Sequence, residues 1–150
     1  MDPRLESALA SYAQDPEGRH AATLAVLQHT RLLVPVVAVL GEAEVDEAGL
    51  AHDKVSDMAT VLMQGRDGRT ALLAFTGADP LHRWQPDARP VPVSASQAAQ
   101  AGLQDGAAAL LVDVAGPVLF VIDGEDLEAL AAGYDLVEVN GRYGWAGPAR

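Results

Sequence analysis

Apolar positions in the first thirty residues recur at helical spacing. Leu5, Leu9 and Tyr12 mark one face of a first helix, and Ala21, Leu24, Val26 and Leu27 mark a second. Each is preceded by an Asp-Pro pair, Asp2-Pro3 and Asp15-Pro16, which predicts an N-cap carboxylate followed by proline in the first turn. At Leu32 the period changes. Leu32 to Leu40 is a continuous, β-branched apolar run that predicts a buried strand, with Pro35 at a bulge or where its missing N–H points off the ladder. Gly41 to Asp57 is acidic and irregular and reads as a mobile loop.

Met58–Gln64 and Thr70–Thr76 read as strands joined through the glycines of Gly65-Arg66-Asp67-Gly68, a β-hairpin. A short helix is expected from Asp79 or Pro80 to Trp84, and Val91–Val93 as an extended piece among prolines. Ser94 and Gln97 form a capping-box pattern that opens a helix to about Gln104. Ala108–Val114 and Val118–Ile122 are strand-like. Asp123 is placed to cap a helix that Gly133 ends, and Asn140-Gly141 predicts a closing hairpin from Leu136 to Trp145. Seven or eight strands and five helices, with hairpins outnumbering strand–helix–strand units, make an α+β fold. We expect one domain over residues 1–150: a mixed sheet, two N-terminal helices, and helices mainly on one face.

The formal net charge is -11, and the basic residues are scattered, so nucleic acid and anionic membranes are disfavoured as partners. There is no cysteine, which removes disulfides, thiolate metal sites and a Cys nucleophile. Neither the N-terminus nor the run from Leu32 to Leu40 reads as a targeting or spanning segment, so a cytoplasmic location is expected.

Chemical motifs are sparse. The glycines between Met58–Gln64 and Thr70–Thr76 lack phosphate-loop spacing and join two strands. None of the five serines lies in a nucleophile elbow. His52, Asp53 and Asp57 lack the ordered spacing of a cation loop, and a solvated acidic loop is the stronger reading. Asp113 interrupts an apolar strand: it faces solvent by alternation, lies at a turn, or is a buried acid. No cofactor and no metal are implied.

The stretch from Arg69 to Trp84 carries most signal. Thr76 or Asp79 is expected to cap, while Leu81 and Trp84 anchor the helix on the sheet. Asp79, His82 and Arg83 then form an exposed polar patch, and with Trp84 they are the candidate partner-binding residues. Run together, the strand at Arg31–Val36, the hairpin into Leu72–Trp84, the capped Ala-rich helix and the segment Leu110–Asp123 resemble the N-terminal domain of the SseB family. The resemblance covers about residues 22–132. Ala74, Phe75, Thr76, Leu81 and Trp84 are its most specific part. Where family members often show an Asn-Pro-Gly-like turn, this chain has Asp113-Val114-Ala115-Gly116-Pro117. The resemblance implies an α+β domain and no established reaction.

The leading expectation is a non-catalytic protein-interaction module with an unidentified protein partner, the acidic Glu42–Asp57 loop being a second docking candidate. The alternative is a small-molecule site or weak enzyme in a pocket near Asp79, His82 and Asp113. Homo-oligomerisation through the edge of the Leu136–Trp145 hairpin is a third expectation.

Overall fold

Both N-terminal helices begin as their Asp-Pro pairs dictate. In the computed structural model, which describes residues 1–38 and 58–147, α1 spans Pro3–Gln14 and α2 spans Pro16–Leu27. Asp2 Oδ1 accepts from the Arg4 N–H at 2.8 Å, and Asp15 Oδ1 accepts from the Gly18 N–H at 3.1 Å. The acidic stretch from 42 to 57, with His52, Asp53 and Asp57, lies outside the described residues.

Strand β1 (Arg31–Ala38) runs between β2 (Met58–Thr60) and β5 (Arg89–Ser94), antiparallel to both. Pro35 faces Pro90 in this register, and Leu33 faces Pro92. Proline has no N–H, so both are non-hydrogen-bonded pairs. The Leu33 N–H therefore points away from β5. It reaches the Phe75 carbonyl at 2.7 Å, and the Phe75 N–H returns to the Leu33 carbonyl at 2.8 Å. That reciprocal pair couples the first sheet to a second of order β3-β4-β6-β7: Leu62–Gln64, Thr70–Ala74, Ala109–Val112 and Phe120–Asp123. Proline thus creates the joint. On β5 it also strips donors from an edge, which discourages edge-to-edge pairing.

The pairing of β3 with β4 is the expected hairpin, while β2 is split from β3 at Val61 and pairs with β1. That split brings the strand total to nine among the described residues, with five helices. Among the described residues, only β4 and β6 are parallel neighbours. Side chains alternate along β4 and define two packed faces. Leu72 and Ala74 join the large core with α1, α2, α4 (Ala95–Gln104) and α5 (Gly124–Ala131). Leu73 and Phe75 face the other way, against α3 (Ala78–Trp84). The molecule is α+β, and among the described residues four helices lie on one face and one on the other.

The capping box of α4 forms as its sequence predicts, with Ser94 Oγ accepting from the Gln97 N–H at 3.1 Å and the Ser94 N–H returning to Gln97 Oε1 at 3.0 Å. Asp123 occupies the N-cap position of α5, but its carboxylate makes no capping bond and lies 3.8 Å from the Arg69 guanidinium.

The C-terminal hairpin, β8 (Asp135–Val139) and β9 (Arg142–Ala146), turns at Asn140-Gly141, whose φ of 55° and 80° suit a type I′ turn. Among the described residues it shares no ladder with the other sheets. The Gln28 side chain serves instead: its Oε1 accepts from the Leu136 N–H, and its Nε2 donates to the Leu136 carbonyl, both at 2.8 Å. Gln28→Ala is expected to cost about 1–3 kcal/mol, since two backbone groups of a half-buried strand lose their partners. Hydrogen exchange should show the loss first at Leu136, before the amides of β4 and β6.

Candidate functional site

Alternation along β4 ends in a short turn that sets α3. Gly77 is the N-cap, and no side chain bonds to the first turn, so neither Thr76 nor Asp79 caps. The Thr76 hydroxyl is engaged elsewhere, and Asp79 sits one residue into the helix, where it faces solvent and favours the dipole.

The helix is short but strictly two-faced. Pro80 and Leu81 are buried, and Trp84 packs against Phe75 with ring centroids 5.5 Å apart and planes tilted by 30°. Asp79, His82 and Arg83, at i, i+3 and i+4, are all exposed on the opposite face. His82 and Arg83 occupy the last turn, where positive charge complements the carbonyl end. Of the four sequence-predicted residues, three therefore share one surface. Trp84 is half-buried and belongs to the foundation beneath them.

Asp113 lies just past β6, beside the end of its parallel neighbour β4. Its φ of 59° places it in the left-handed region, which Asp and Asn tolerate better than most residues. The residue is fully buried. One carboxyl oxygen accepts from the Thr76 N–H at 2.8 Å, the other from the Thr76 hydroxyl at 2.7 Å. The Asp113 N–H in turn donates to the Ala74 carbonyl at 2.9 Å. These bonds fasten the ends of β4 and β6 together. Burial raises the Asp113 pKa above its ordinary value of 3.8, against the smaller lowering effect of the two Thr76 bonds.

Beside this fastening, two crevices of about 360 and 230 Å³ open against α1. Asp79 lines the first and Asp113 the second, and they share Met1 and Glu6. His82 lines neither. Both carboxyl oxygens of Asp113 are taken by Thr76, and Asp79 and Asp113 border separate crevices, so the three residues of the small-molecule reading do not converge on one pocket. Among the described residues, no three His, Asp or Glu side chains are grouped to hold a metal ion. No helix of the described residues is long and apolar enough to cross a membrane.

The residues that build this joint are Ala74, Phe75, Thr76, Leu81 and Trp84, in the order and spacing of the signature noted in the sequence. The model of the SseB protein N-terminal domain matches residues 5–129. The chain belongs to the SseB family. The match begins in α1, whereas the resemblance read from the sequence began near residue 22. It ends within α5 and leaves the β8–β9 hairpin outside. No curated protein and no solved structure matches the chain significantly.

Sequence reasoning missed the Thr76–Asp113 fastening and the Gln28 clamp. The one available signal for the first was a carboxylate in an apolar strand. It missed His20 as well, which stacks on Phe120 at 4.6 Å and lies 2.9 Å through Nε2 from the Val121 carbonyl. All three are contacts between distant segments.

Proposed function

We propose that the chain is a non-catalytic cytoplasmic protein-interaction module that docks a partner protein through the exposed face of α3. One observation carries the reading: Asp79, His82 and Arg83 project together from a helix whose other face is locked by Leu81 and by Trp84 on Phe75. Rigid presentation lowers the entropy lost on docking, and arginine is favoured at such contacts. The most buried acid nearby supports this reading too, because its bonds go to joining strands.

Affinity capture of the tagged protein from native lysate, with mass spectrometry, tests the proposal. A near-stoichiometric protein should co-purify. The double variant His82→Ala, Arg83→Glu should weaken its binding roughly tenfold or more while leaving the melting temperature in place. Retention of the partner by that variant would refute docking through α3. Trp84→Ala is a poor probe, since removing a half-buried indole from Phe75 lowers stability as well.

A further inference from the structure

A second surface lies towards the other end of the chain, where the SseB match stops within α5. Between α5 and the β8–β9 hairpin runs a groove of about 350 Å³, lined by Glu125, Glu128, Ala129, Ala132, Tyr134 and Trp145. The alanines leave room at its floor, and Tyr134 is 41% exposed. The indole is held from behind, because Trp145 Nε1 donates to Asp126 Oδ1 at 3.0 Å. Among the described residues, neither Glu125 nor Glu128 pairs with a basic side chain.

The backbone beside the groove is also open. Val139 and Arg142 flank the two-residue turn, which makes theirs a hydrogen-bonded pair. Leu136–Trp145 and Glu138–Tyr143 are then non-hydrogen-bonded pairs, as the two bonds from Leu136 to Gln28 require. It follows that the N–H and C=O groups of Tyr143 and Trp145 point outward from β9, and no strand of the described residues covers them. Trp145 thus contributes its ring to the groove and its backbone to the edge.

We propose that this edge and groove receive an extended, basic segment of a partner protein. The segment adds as a strand to β9 and seats an Arg or Lys side chain between the two aromatic rings and the two carboxylates. Strand addition supplies affinity through the main chain, while the groove selects the side chain. A cation against Tyr and Trp is attracted by both ring faces, and the glutamates reinforce it. A second copy of this chain fits less well: two chains of net charge -11 would bring their acidic α5 rims together. The proposal goes beyond docking through α3 and uses none of its residues.

The probe is a fluorescently labelled octapeptide of alternating Arg and Thr, with alternating Glu and Thr as its control, titrated against the full chain by anisotropy. The Arg peptide should bind, and the Glu peptide should not. Glu125→Gln with Glu128→Gln should weaken binding by about tenfold or more, both residues being exposed and dispensable to the core. Tyr143→Pro removes an outward N–H without breaking a β8–β9 bond, and it should bind at least several-fold more weakly than Tyr143→Ala. His82→Ala with Arg83→Glu should bind like the wild type, which separates this proposal from the α3 reading. Equal binding of both peptides, no binding, or indifference to the glutamine substitutions would overturn the proposal. So would Tyr143→Pro matching Tyr143→Ala, or a dimer in light scattering that Tyr143→Pro abolishes.

Discussion

Phe75→Ala is expected to destabilise the protein by about 3–5 kcal/mol, the largest effect of any single truncation around the joint. Phe75 is fully buried and meets three neighbours at once: Leu33 through its backbone, Leu81 through the smaller core, and Trp84 through its ring. Truncation leaves a cavity beneath α3, which has only seven residues and no side-chain cap to hold it in place. Denaturant unfolding should show the loss, and Trp84 emission should shift to longer wavelength even where the chain stays folded. Phe75→Leu, which refills most of the volume, should retain the helix at a smaller cost.

Asp113→Ala should cost about 2–4 kcal/mol. It strands a buried backbone N–H and a buried hydroxyl on Thr76, and it places alanine at a positive φ. Asp113→Asn is a different experiment, because it keeps an acceptor for the Thr76 N–H and suits the left-handed backbone. It also cannot ionise. Since burial raises the pKa of Asp113 in the folded chain, the folded form holds a proton that the unfolded form has released. The resulting stability is fully present below the ordinary value of 3.8 and is lost as pH rises through the raised folded value. Above that window the loss is complete and stays constant. Stability measured from pH 3 upward should therefore contain a falling component in the wild type that Asp113→Asn removes. An identical pH profile in the two proteins would refute the burial argument.

Where contacts are local, the chain announced its structure. Asp2, Asp15 and the Ser94–Gln97 box act within two or three residues, so their residue types suffice to place helix starts. The Asn140-Gly141 turn needs only two residues that accept positive φ. At α3 the same logic failed, because the Thr76 hydroxyl turned to Asp113, 37 residues on, and left Gly77 as the cap. A long-range bond to a buried carboxyl outcompetes a local cap, and no periodicity reveals it. Pro35 marked an interrupted ladder, but its facing Pro90 became visible only through the register. The candidate patch was legible as an i, i+3, i+4 set on a two-faced helix. Trp84 carried two readings, an anchor on the sheet and a member of the patch, and its half-buried packing against Phe75 is that of an anchor.

Docking through α3 is tested most directly by placing a photo-cross-linking amino acid at His82 in living cells, with the same residue at exposed Glu17 on α2 as the control. Illumination should trap one discrete protein adduct from position 82 and none from position 17, with both variants melting like the wild type. No adduct at position 82, or the same adducts from both positions, would contradict a partner seated on the exposed face of α3.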